Sequence, residues 1–102
     1  MYQLEAIFQT RLDRTLQRVS ARVTSRRRTR AQNAAVGGAA YSQHLIALAA
    51  DLVPVAGSSY ATIAAAARSA GLVPVIESDH VHVQLFPAGL PFVARLIDLL
   101  AA

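Results

Sequence analysis

The chain has 102 residues, of which 54% are hydrophobic, so it is the size of one small domain with a packed interior, and extended disorder is excluded. It has no cysteine, which rules out a disulfide framework and any thiolate metal site, and its net charge of +4 comes from ten arginines with no lysine. No apolar run reaches the roughly 20 residues that span a bilayer, and Met1-Tyr2-Gln3-Leu4-Glu5 lacks a basic segment ahead of an apolar core, so no signal peptide is expected.

Leu4, Ile7, Phe8, Leu12, Leu16 and Val19 recur at three- and four-residue steps, which predicts an amphipathic helix from about residue 2 to 18. Residues 21–25 read as a short strand around Val23. Thr29 has the character of an N-cap for a short helix over 30–35, which Gly37-Gly38 ends. From Ser42 the chain runs through a loop into an apolar strand at Ala49-Ala50-Asp51-Leu52-Val53, stopped by Pro54 and Gly57. Ser58 or Ser59 caps a helix to about Ala70, closed by Gly71. Val73 to Ile76 reads as a strand, and His80 to Leu85 alternates so regularly that it is the clearest strand in the chain. Phe86-Pro87-Ala88-Gly89 breaks it, and Pro91 opens a final helix over about 91–101. With no repeat and no linker, the order predicts a single α+β domain over 1–102: a small, mostly antiparallel sheet flanked by helices, with residues 21–86 as its motif-bearing core.

All three histidines fall in two short segments. One carries His44 and Asp51 as His-x6-Asp; the other is Asp79-His80-Val81-His82. Two imidazoles and a carboxylate can hold a zinc ion and leave a position open for water. A further carboxylate, Asp79, can then take a proton from that water. Strand alternation puts His80, His82 and Gln84 on one face, with Val81, Val83 and Leu85 on the other, toward the core.

The stretch from Ser25-Arg26-Arg27-Arg28 through Asn33, Gly37-Gly38 and Ser42-Gln43-His44 to Asp51, with His82 downstream, resembles the zinc D-Ala-D-Ala carboxypeptidase family. That family includes small phage and bacterial murein peptidases, and is structurally akin to lysostaphin-type enzymes and the hedgehog signalling domain. Its pattern is Ser-x-x-Arg, an Asn, a Gly-Gly turn, Ser-x-His-x6-Asp and a later His on a strand. The resemblance implies a hedgehog/D-Ala-D-Ala peptidase-like fold with Zn2+ held by His44, Asp51 and His82. It implies Asp79 as catalytic acid/base and Arg28 near the scissile carbonyl or a substrate carboxylate. Ser42, His80 and Ser25 are expected to contact substrate or to support the ligands. Asn33 is expected to bond loop backbone. The chain departs from the pattern at Ala47, where Gly is frequent, at His80, where an aromatic is, and at Gln84, where an acid is. Arg26 and Arg27 likewise stand where the family tends to have Gly and an aromatic.

The function implied is hydrolysis of peptidoglycan stem peptides, by a D,D-carboxypeptidase or murein endopeptidase of phage type. The expected setting is a virion, with other virion proteins as partners, or a host cytoplasm with release to the cell wall. The alternative is a virion structural or wall-binding module that keeps the fold with little activity. A third class, a nucleic-acid-binding protein built on the arginine run, is disfavoured because few aromatics interleave with the arginines to stack on bases. The same arginines, Arg26, Arg27 and Arg30 among them, are expected to attract an anionic wall polymer.

Overall fold

The apolar spacing of the N-terminal segment is realised in α1 (Tyr2–Arg18), which buries Phe8 and Leu12 completely. Thr15 completes that stripe, and its hydroxyl donates to the Arg11 carbonyl, so its burial leaves no polar group unpaired. The structure is a computed structural model that describes residues 2–101. After α1 come β1 (Ala21–Ser25), α2 (Arg30–Ala35), β2 (Ala49–Pro54), α3 (Tyr60–Ser69), β3 (Val73–Ile76), β4 (Val81–Gln84) and α4 (Pro91–Leu100). Both short helices start on a capping box, Thr29 with Gln32 and Ser59 with Thr62. Of the two serines expected to cap α3, Ser59 does so. The Ser58 hydroxyl turns back instead to the carbonyls of Ser20 and Val55.

The four strands form one antiparallel sheet in the order β1-β2-β4-β3. β3 and β4 make a hairpin, and the connection through α3 carries the chain from β2 past β4 to the far edge. The α+β, antiparallel architecture expected from the sequence is the one observed. One sheet face carries Ala50, Leu52, Val81 and Val83, all fully buried, against Ile63, Ala64 and Ala67 of α3, with α1 packed beside α3. Fully burying one Leu, Ile or Phe stabilises the fold by about 1.5–3 kcal/mol, so this layer anchors the sheet behind the opposite face. That opposite face is the polar one.

The segment between Ser42 and β2, read as loop from sequence, contains a 3-10 turn, Gln43–Ile46. Ser42 caps it through a hydrogen bond from the His44 N–H, and Ala47 ends it in a left-handed conformation with φ 61°. All four residues of the turn are buried, and α4 packs on it. A single turn shows no periodic signature in sequence, which is why it was not legible there.

Candidate metal centre

Asp51 and His82 are register partners on the two central strands, with Ser25 of β1 across from Asp51 and Val75 of β3 across from His82. A bulge at Thr24 brings Ser25 into that row. Because alternate residues share a face, the row lies on the side of the sheet opposite the apolar layer. The 3-10 turn swings His44 over the same spot. Asp51 Oδ1 lies 3.0 Å from His44 Nε2 and 3.2 Å from His82 Nδ1. One ligand atom from each of the three residues falls within 4.8 Å of the others. Four ligands placed tetrahedrally about 2 Å from a zinc ion are about 3.3 Å apart, so this spacing suits that ion.

The outer nitrogens of both imidazoles are committed to groups that can only accept. His44 Nδ1 donates to the Arg26 carbonyl at 2.5 Å. His82 Nε2 donates to Gln84 Oε1 at 2.7 Å, and Gln84 is oriented because its own NH2 donates to the Phe86 carbonyl at 2.8 Å. With the outer nitrogens protonated, neutral His44 and His82 each present a lone pair inward, toward a carboxylate oxygen. Three acceptors facing one another repel unless a cation sits among them. The donor set therefore fits a divalent metal, with outer partners that fix each ring as they do in metal sites generally.

The other Asp51 oxygen is held separately: Arg28 Nη2 donates to Oδ2 at 2.7 Å. Arg28 is itself placed by the turn, since its backbone N–H donates to the His44 carbonyl. Burial alone would raise the Asp51 carboxyl. The hydrogen bonds from His44 and His82 and the charges of His44 and His80 more than offset it, and the group is held far below the usual carboxylate range. Burial would likewise lower His82, but its hydrogen bonds to Asp51 and Gln84 and the charges of Asp51 and Glu77 raise it above an ordinary histidine. Without a metal, these contacts favour a proton on the His82 ring facing Asp51, where a cation would otherwise sit.

The centre opens into a cleft of about 1130 Å³ lined by Ser25, Arg28, Tyr41, Ser42, Glu77 and Asp79 among others. Asp79 stands at its rim, largely exposed, and accepts a hydrogen bond from His80 Nδ1 at 2.6 Å. His80 Nε2 then lies 3.5 Å from Asp51 Oδ1, at the edge of the cluster. Ser42 supports His44 from below as the cap of its turn, and Ser25 faces the cleft beside Asp51. Asn33 bonds loop backbone, donating to the Ala39 carbonyl. Sequence reasoning missed Gln43 as a participant, and placed Gln84 on the histidine face of β4 without giving it a role. That placement was the signal available for Gln84. Two of the arginines expected to attract an anionic wall also make contacts within the chain. Arg26 lies 5.4 Å over the Phe8 ring and donates to Gln9, and Arg30 donates to the Ile97 carbonyl. Arg27 is exposed.

An antiparallel sheet that presents Asp51 and His82 on one face, with His44 brought over them by a 3-10 turn, makes a metallopeptidase-like scaffold. The family model for peptidase M15 matches residues 3–84, most of the chain, and the chain belongs to that family. The resemblance to zinc D-Ala-D-Ala carboxypeptidases is thus shown at the level of the family, which is one of peptidases. No curated protein and no solved structure matches the chain. Among the described residues, no helix is long and apolar enough to cross a membrane.

Proposed function

We propose that the protein is a zinc-dependent peptidase that hydrolyses peptidoglycan stem peptides, as a D,D-carboxypeptidase or murein endopeptidase. The observation that carries this reading is the gathering of three potential ligand atoms, His44 Nε2, Asp51 Oδ1 and His82 Nδ1, in an open cleft. When bound there, zinc supplies a Lewis acid that lowers the pKa of a water toward about 7 and polarises a carbonyl.

The chain's own groups do the rest. Asp79 Oδ1 is occupied by His80, which leaves Oδ2 to accept a proton from the attacking water and deliver it to the departing amine nitrogen. The same contact turns His80 Nε2 toward the site, where the ring, when it carries a proton on both nitrogens, can donate to the negative charge on the reacting carbonyl oxygen. Arg28 gives one N–H to Asp51 and has others left for a substrate carbonyl or terminal carboxylate. Ser25 and Ser42 offer hydroxyls to the peptide along the cleft floor.

The setting we propose is a phage particle or a host cytoplasm from which the protein is released to the wall. The resemblance to small phage murein peptidases supports it. The test is incubation of zinc-loaded protein with purified sacculi and with stem pentapeptides, read by mass spectrometry. Release of free D-Ala identifies a carboxypeptidase, and cleavage of cross-linked dimers an endopeptidase. Binding to sacculi with no cleavage of either substrate overturns the enzyme reading in favour of a wall-binding module.

A further inference from the structure

Gln84 follows His82 by two residues on β4 and is buried, with both ends of its amide engaged. Gln43 precedes His44 in the 3-10 turn and is also buried. Its Nε2 donates to the Phe86 carbonyl at 2.7 Å, and its Oε1 accepts from the Phe86 N–H at 3.0 Å. The main chain of Phe86 is therefore gripped by two glutamines, one from each element that carries an imidazole ligand. The clasp joins those elements by a route that passes through neither Asp51 nor a metal.

The polarity of this network is determined. A carbonyl only accepts, so Gln84 turns its NH2 to Phe86 and its oxygen to His82. That oxygen only accepts, so His82 carries its proton on Nε2 and keeps the Nδ1 lone pair for the cluster. A hydrophobic side chain of the same size would fill the space without setting which nitrogen faces the centre.

We infer that Gln84 and Gln43 are a positioning pair for the metal centre. Gln84 selects the ligating nitrogen of His82, and Gln43 holds the His44 turn against the end of β4. This rests on the reading of the site as a zinc centre.

The test measures zinc affinity of the full chain by competition with a chromophoric chelator, together with nitrogen-15 NMR of the histidine rings in the zinc-loaded protein. The wild-type spectrum is expected to show His82 bound through Nδ1 with Nε2 protonated. Gln84→Leu is expected to weaken zinc binding about 10–100-fold, the usual cost of losing an outer partner. Gln84→Glu, whose carboxylate accepts from the same nitrogen, should stay within a few-fold of wild type. Gln43→Leu should weaken binding while leaving the His82 ring protonated on Nε2. A merely structural Gln84 would shift the unfolding midpoint without separating Leu from Glu in zinc affinity, and that result overturns the inference. Wild-type affinity in Gln84→Leu overturns it too, and in Gln43→Leu it removes Gln43 from the pair. If Gln84→Leu fails to fold, the wild-type spectrum decides, and zinc bound through His82 Nε2 refutes the assignment. In each of these cases the zinc reading stands, whereas a wild-type protein that takes up no zinc brings down both.

Discussion

Asp51 and His82 stand directly opposite each other on β2 and β4, and the Asp51 oxygen 3.2 Å from His82 Nδ1 is the same one that lies 3.0 Å from His44 Nε2. One carboxylate oxygen is thus shared by both rings, and its negative charge is what a dication would meet. Asp51→Asn keeps the shape and removes the charge. It is expected to leave the protein with well under one zinc per chain and to cost more than the roughly 10–100-fold lost with an outer partner. Plasma mass spectrometry on protein purified without chelators reads this directly, and full zinc occupancy in the variant would exclude Asp51 as a ligand.

The metal-free protein should have a two-sided pH dependence. Asp51 is depressed in the fold, so its contribution is present above its ordinary value of 3.8 and is lost as the pH falls below that. His82 is raised, so its contribution is complete below its ordinary value of 6.5 and is lost as the pH rises through the raised one. Urea unfolding with a chelator present should therefore show these two groups contributing most between about pH 4 and 6.5. With zinc bound the alkaline loss should vanish, because the metal needs His82 neutral. A metal-free protein equally stable at pH 5.5 and 8.5 would show that His82 does not take up the proton.

Arg28 pairs with the second oxygen of Asp51, and its side chain is 19% exposed against 6% for the aspartate. Removing the guanidinium strands a buried carboxylate oxygen, while partial exposure lets water replace some of what is lost. Arg28→Met should destabilise the metal-free protein by about 1–3 kcal/mol, and Arg28→Lys should recover part of that. Urea midpoints at fixed pH measure both. If Arg28→Met unfolds where wild type does, the pair holds nothing together, and Arg28 is kept for the substrate alone.

Much of the fold could be read from the sequence because short-range patterns carried it. Alternation over Val81-His82-Val83 put the two valines in the core and the histidine in the cleft. Thr29 and the Ser58-Ser59 pair announced helix starts as cap residues, while the reciprocal bonds to Gln32 and Thr62, and the choice of Ser59, come from the structure. The spacing His-x6-Asp marked His44 and Asp51, yet gave no account of how they meet, since a four-residue 3-10 turn is too short to leave a period. Gln84 was placed on the histidine face by the same alternation, but Gln43 was silent for another reason. Its partner, the main chain of Phe86, lies 43 residues away and is adjacent only once the sheet has formed. The contacts of the arginine run were hidden in the same way: nothing local shows that Arg26 covers Phe8 or that Arg30 reaches Ile97.

Ala47 offers a stabilising substitution beside the centre. It closes the His44 turn at φ 61° and ψ 29°, in the left-handed region that a Cβ makes costly by about 1–2 kcal/mol. Glycine relieves that strain but adds about 0.4–1 kcal/mol of freedom to the unfolded chain. The first effect exceeds the second, so Ala47→Gly should raise stability by about 0.5–1 kcal/mol, read as a higher urea midpoint. Because the turn keeps its conformation, His44 stays where Ser42 and Arg26 hold it, and zinc affinity should not change. A lower midpoint would mean that the Ala47 methyl contributes more by packing than its conformation costs. A higher midpoint with altered zinc affinity would mean that the strained turn itself sets the approach of His44 to Asp51.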